Sequence, residues 1–169
     1  MVGAAVLDTD TYEEVEADRR ATTQAFLVVL LVSLAAGIGA LGFGHRSVEH
    51  VFVMGTAALI GWASWALLTY QIGGRLMPTR QTEVDLGQLL RTLGFSAAPG
   101  TVAVAGILPL MAIPAFALAS VWMLVSMIVA VRQALDYEST GRAVVVCAVA
   151  WTLALGIVGL LGFWTHVVA

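Results

Sequence analysis

The fold of this chain depends on residues 97–131, which read AAPGTVAVAGILPLMAIPAFALASVWMLVSMIVAV and contain no charged side chain. As one α-helix this run would be about 52 Å long at about 1.5 Å per residue, whereas a bilayer core is about 30 Å thick. Pro109 and Pro114 interrupt the run, and proline lacks a backbone donor and favours the first turn of a helix. We therefore predict two spans here, at about 93–112 and 113–135. A re-entrant hairpin is the alternative.

The composition places the whole chain in a membrane. Hydrophobic residues make up 60% and charged residues 11%, against about 45–50% and about 25% in soluble domains. These values exclude an ordinary soluble domain, a disordered chain and a nucleic-acid-binding protein. Three further uncharged runs, 21–44, 51–74 and 143–165, predict spans at about 21–44, 50–73 and 142–166. The predicted fold class is all-α, a polytopic membrane bundle of five transmembrane helices with a short interfacial amphipathic helix.

The arginines orient this bundle. All eight basic residues are arginine, a bias that suggests a GC-rich, prokaryotic genome. Cytoplasmic loops carry an excess of basic residues. Five spans with a cytoplasmic N-terminus leave only Arg46 outside, whereas four spans would divide the arginines five to three. We therefore predict a cytoplasmic N-terminus and an external C-terminus. The inner arginines would be Arg19, Arg20, Arg75, Arg80, Arg91, Arg132 and Arg142.

Two segments outside the spans are predicted to be helical. Residues 1–20 form a cytoplasmic N-terminal helix that begins at about Asp10 and runs into the first span, since Asp10 and Glu13 form a capping pattern. Its acidic residues are either a docking surface for a basic partner or a solvated face. Residues 82–94 form the interfacial helix, with a cap at Thr82, where Thr82 and Asp85 make a capping pattern.

The helix at 82–94 supplies the candidate contact surface. Its leucines follow helical spacing and would face lipid or the bundle, Arg91 would face anionic head groups, and Gly94 would end the helix. The alternative is a simple interfacial connector. The candidate partner or lipid contacts are Leu86, Leu89, Leu90, Arg91 and Leu93.

Small and aromatic residues within the spans are expected to serve packing. Small residues four apart let helices approach closely, and Trp62 and Trp65 are more typical of packing than of ligand stacking. The small pairs are Ser33 with Gly37, Ala36 with Ala40, and Ala57 with Gly61.

The sequence offers no catalytic set. The uncharged runs lack the acidic and basic residues that ion-coupled transporters need. We therefore predict no enzymatic activity, no cofactor and no metal. A passive pore remains an alternative, because it does not need charged residues. One polar group is predicted on the outer face, formed by His45, Glu49, His50 and His166. Imidazole and carboxylate could bind zinc or sense pH, but interfacial polar residues are the simpler interpretation.

A family resemblance rests on residues 83–143. The stretch begins with EVDLGQLLRTLGFSAAPG at 83–100. It then contains the predicted span around Trp122 and the residues at 132–137, where the chain leaves that span. This stretch resembles the Yip domain family, whose eukaryotic members are named as interactors of Ypt/Rab GTPases, and TYEEVEADRR at 11–20 looks like prokaryotic members. The resemblance implies a five-span bundle with a cytoplasmic N-terminus.

The resemblance does not carry over every family role. Eukaryotic members have a long cytoplasmic N-terminal region, which residues 1–20 replace here, so GTPase binding and vesicle traffic are not transferred. We expect a scaffold or membrane-organising protein in the cell membrane, with a small channel or transporter subunit as the alternative. Expected partners are the lipid bilayer, an unidentified membrane or cytoplasmic protein, and a second copy of the chain, with no nucleic acid.

Overall fold

Six α-helices make up most of the computed structural model, which describes residues 3, 7–44, 47–79 and 85–168, with side chains as far as residue 160 except at 9, 10, 16 and 17. No strand occurs among the described residues. The helices are α1 (Thr9–Ala17), α2 (Ala21–Ala40), α3 (Val48–Thr69), α4 (Leu86–Ser96), α5 (Ala112–Ala134) and α6 (Thr140–Val168).

Three stretches depart from α-helical geometry. A short 3₁₀ turn, Leu41–Phe43, extends α2, and a π-helical stretch, Tyr70–Leu76, extends α3. The third is a 3₁₀ helix at Ala98–Ile107 that follows α4 directly, with Pro99 in its first turn. We call this helix the 3₁₀ segment.

Among the described residues, four helices are long and apolar enough to cross a membrane: Ala21–Phe43, Val48–Leu76, Ala112–Ala134 and Thr140–Leu160. This confirms the predicted all-α membrane bundle. α5 starts at Ala112 and so holds Pro114 in its first turn, as proline favours.

The predicted third span is not a single α-helix, because residues 86–107 combine α4 with the 3₁₀ segment. Eleven α-helical and ten 3₁₀ residues have a combined length of about 36 Å, at about 1.5 and about 2.0 Å per residue. The α-helix and the 3₁₀ helix together therefore have the length of a membrane span.

Residues 86–107 run parallel to α2 along its length. Gly94 lies against Ala25 near the start of α2, and Gly39 lies against Ala103 near its end. The backbones touch there, because a Cβ on Gly39 would collide with the carbonyl oxygen of Ala103. Small residues are what permit such an approach between membrane helices.

Five segments of the described chain form a ring in which each contacts the next. In order around the ring they are α3, α2, the 3₁₀ segment, α5 and α6, which returns to α3. α3 is antiparallel to both neighbours, since Gly37 of α2 lies against Val51 and the Trp65 indole N–H donates to the Cys147 carbonyl at 3.5 Å. The predicted small pair of Ser33 and Gly37 thus lies at the α2–α3 contact.

One end of the ring collects the arginines. Arg20 precedes α2, and Arg75 lies in the last turn of the π-helical stretch. Arg132 lies in the last turn of α5, and Arg142 lies in the first turn of α6. We call this end the arginine end. The opposite end holds the α2–α3 connection and the start of α5.

The substitution Gly39→Ala tests the backbone contact between α2 and the 3₁₀ segment. The added methyl meets a carbonyl oxygen, and overpacking of this kind costs about 1–3 kcal/mol. We expect a lower thermal unfolding midpoint in detergent. Gly156→Ala is the matched control, because a Cβ at Gly156 meets no described atom within 4 Å. An equal shift in both variants would contradict the contact.

Candidate functional site: a central cavity and the arginine end

The ring encloses a cavity of about 580 Å³ in the half opposite the arginine end. All five segments contribute to its walls. Its floor is formed by Trp65, Met127 and Trp151, and the two indoles meet edge to face with ring centroids 6.5 Å apart. Since Trp65 is only 2% exposed, the bundle is closed below the cavity toward the arginine end.

The walls are apolar, and small side chains make the space. Serine and histidine supply the polar lining side chains other than tryptophan, at Ser33, Ser120 and His50. The volume lies within the range of about 300–1,000 Å³ that is common for small-molecule sites. The small lining residues include Ala36, Ala40, Ala57, Ala58, Gly61, Ala103, Ala119 and Ala154.

Trp62 and Trp65 pack within the bundle, and both also line the cavity. The Trp62 Nε1 atom is buried and has no hydrogen-bond partner within the described part of the chain. The cavity could not be predicted from the sequence, since alanines and glycines occur in most apolar helices.

At the arginine end, α1 is tied to the bundle. It packs against α4 and α5. Tyr12 is fully buried, with its hydroxyl 3.2 Å from the Ser126 Oγ. Burial raises the pKa of Tyr12, and the Ser126 hydrogen bond partly opposes this. α1 also ends at Ala17, so the predicted continuous helix into the first span is wrong, because a turn at 18–20 separates α1 from α2.

A second tyrosine joins the α5–α6 connection to α3. The Tyr137 hydroxyl lies 2.9 Å from the Gly73 carbonyl and 3.0 Å from that of Met77, so it can donate to either. The Arg132 Nε donates to the Tyr137 carbonyl at 3.3 Å, and the Arg142 guanidinium lies over the Tyr137 ring at 5.7 Å. Burial raises the pKa of Tyr137, although the Arg142 charge lowers it and Cys147 adds to the rise.

The α4 helix is more enclosed than an interfacial helix. Leu89 and Leu93 are fully buried in the bundle, while Leu86 and Leu90 are half-buried. Arg91 is only 6% exposed and its Nε donates to the Val15 carbonyl at 3.3 Å. The prediction that Arg91 faces head groups is therefore wrong, because α1, α2 and α5 surround the helix.

The predicted ends of this helix also change. Asp85 caps α4 by accepting from the Gln88 N–H at 3.1 Å, and Thr82 lies outside the described residues. Gly94 does not end the helix, which continues to Ser96. Its lack of a side chain instead admits Ala25 of α2.

The predicted outer polar group is only partly described. Glu49 is exposed in the first turn of α3, and His50 is half-buried and lines the cavity. His45 and the His166 side chain lie outside the described residues. Among the described side chains, no group of three His, Cys, Asp or Glu residues could hold a metal ion. A site formed by all four residues stays a prediction.

These features define a class: a multi-pass helical membrane protein whose described part holds a ring of segments around an apolar cavity. The chain belongs to the Yip1 domain family, which matches residues 6–161, and this confirms the resemblance seen in the sequence. No curated protein and no solved structure matches the chain.

Tyr137→Phe tests the tyrosine contact with the end of α3. The variant keeps the ring beside Arg142 and loses only the hydroxyl, so we expect a loss of about 1 kcal/mol in stability. Tyr70→Phe is the control, since that ring packs under Arg75 at 5.3 Å. Thermal unfolding in detergent should separate the two variants, and equal midpoints would count against the contact.

Alkaline pH gives an independent test. The pKa values of Tyr12 and Tyr137 are raised in the folded state, so their contribution to stability is complete below the unfolded value of about 10. This contribution is lost as the pH rises from about 10 through the raised pKa values of the folded state. We expect the unfolding midpoint to fall above about pH 10. A Tyr12→Phe, Tyr137→Phe double variant should show a shallower fall; the same slope as the parent would contradict this.

Proposed function

We propose that this protein is a non-enzymatic membrane scaffold that holds a partner protein at its arginine end, on the cytoplasmic side. The observation that carries the proposal is the tethering of α1. Tyr12 and Val15 fix this short helix to the bundle, while Glu13 and Glu14 on the same helix are exposed. An acidic surface held rigidly in place costs a partner less ordering entropy than a mobile tail would.

The proposed contact surface combines α1 with part of α4. We define it as Glu13, Glu14, Leu86 and Leu90, which are exposed or half-buried on two helices that pack together. The other predicted contacts, Leu89, Arg91 and Leu93, support this surface from inside the bundle. A basic partner with an apolar patch fits such a surface.

A small channel or transporter subunit is the second candidate, and the cavity favours it. Two features weigh against it. Trp65 and Met127 close the cavity floor, and no Asp, Glu, Lys or Arg lines the walls in the described part of the chain. A purified protein that moves a solute across liposomes with saturable kinetics would replace the scaffold proposal.

The proposed topology has five crossings with the arginine end in the cytoplasm. Two observations support it. Residues 86–107 match α2 in direction and have the length of a span, and the described arginines in the helices and their flanking turns gather at one end. The N-terminus would then lie inside and the C-terminus outside.

Reporter fusions test this topology. Alkaline phosphatase fused to the C-terminus should be active, because five crossings place that terminus outside. A fluorescent protein that folds only in the cytoplasm should be dark at the C-terminus and bright at the N-terminus. An inactive phosphatase together with a bright C-terminal fluorescent protein would exclude five crossings.

Charge reversal tests the contact surface. A photo-crosslinking amino acid at position 86 should capture a partner in cells. The Glu13→Lys, Glu14→Lys variant should lose this crosslink with no change in the unfolding midpoint, since both side chains are exposed. Glu49→Lys, an exposed change at the opposite end, should retain it. An unaffected crosslink in the double variant would contradict a role for α1.

A further inference from the structure

We propose that the central cavity is a binding site for one acyl chain of a membrane lipid, which enters from the bilayer between α5 and α6. This site goes beyond the scaffold role and does not require it. Three observations carry the proposal: the chemistry of the walls, the shape of the cavity, and its opening.

The wall chemistry selects a hydrocarbon occupant over water. A buried water needs two to four polar partners, and apolar cavities stay dry. Apart from the tryptophans, the polar side chains of the lining are few and lie on three different helices, at Ser33, His50 and Ser120. Trp62 adds one buried indole N–H that has no partner among the described residues, which is a single donor and not the set of partners that a water needs. The indole N–H of Trp65 points to the Cys147 carbonyl. An alkyl chain needs no polar partner and restores the dispersion contacts that an empty space lacks.

The cavity is long enough for an extended chain. It reaches along α3 from His50 to Trp65, which is about 22 Å at about 1.5 Å per residue. One leaflet of a bilayer core is about 15 Å deep, half of about 30 Å. The cavity is therefore longer than one leaflet is deep, and an acyl chain that enters from the leaflet opposite the arginine end can extend inside it toward the Trp65 floor.

The opening lies between α5 and α6. Near the arginine end these helices touch, with the Cys147 Sγ 3.9 Å from the Met127 carbonyl. Further along, Ser120 and Leu155 line the cavity and are nevertheless exposed, Leu155 by 60%. A Cβ on Gly156 would meet no described atom within 4 Å. This side of the ring therefore faces the lipid, which is the source of the proposed chain.

The experiment uses Trp65 as a reporter in the full-length protein. Replacement of Trp62, Trp122, Trp151 and Trp164 by Phe leaves Trp65 as the single tryptophan, at the cavity floor. The protein is reconstituted in vesicles of phosphatidylcholine with brominated acyl chains, since bromine quenches nearby indole fluorescence. We expect a loss of Trp65 fluorescence comparable with that of a single-Trp122 variant, whose indole is exposed to lipid. Iodide, which stays in water, should not quench Trp65.

A filled cavity provides the matched comparison. At Gly61 a Cβ meets only the Val158 Cγ2, at an ordinary 3.5 Å, so Gly61→Leu can grow into the cavity. This variant should lose the bromine quenching of Trp65. Gly156→Leu adds the same side chain outside the cavity and should keep it.

Each other outcome overturns the site. If brominated lipid does not quench the Trp65 fluorescence, no acyl chain enters the cavity. Trp65 that is quenched by iodide means a water-filled cavity, as a channel would have. Quenching that persists in Gly61→Leu comes from lipid outside the ring. If Gly61→Leu does not fold, the comparison of bromine with iodide in the single-Trp65 protein still decides the matter. A failed scaffold role would not change any of these readings.

Discussion

The close backbone contact between α2 and the 3₁₀ segment is the constraint on which the ring depends. Gly39 lies against Ala103, and Gly42 against Gly106, with no side chain between the two backbones. In a membrane, apolar side chains gain little by leaving lipid, so helix association relies on close packing of this kind. Together with α4, which meets α2 at Gly94 and Ala25, the 3₁₀ segment follows α2 from near its start to its end.

The two halves of the ring use different physical chemistry. The arginine end is held by buried polar contacts, in which Tyr12, Arg91 and Tyr137 bind groups on neighbouring helices. Each of these contacts contributes more to the free energy of unfolding than the same contact at an exposed surface would, because breaking it leaves a buried polar group without a partner. The opposite half has a space lined by small apolar residues, and its α5–α6 side is open.

Arg91 shows how packing changes the role of a side chain. Helical spacing places this arginine opposite the leucine stripe of α4, where a surface helix would present it to head groups. Because α1 also covers α4, the same position becomes an internal one, and the guanidinium satisfies a backbone carbonyl at Val15. The sequence contains both helices but gives no signal that they pack together.

The sequence by itself determined the solvent, the helical class, the position of Pro114 in the first turn of α5 and the family, because these follow from uncharged runs, proline chemistry and local motifs. The clustering of arginines also follows from the order of spans along the chain. Only the tertiary structure decided that α4 is buried, that Tyr12 and Tyr137 are anchors, and that ten residues after Ala97 adopt a 3₁₀ helix. The cavity belongs to this second group. Its walls come from five segments far apart in the chain, and a space between helices depends on how they pack, which no local pattern records.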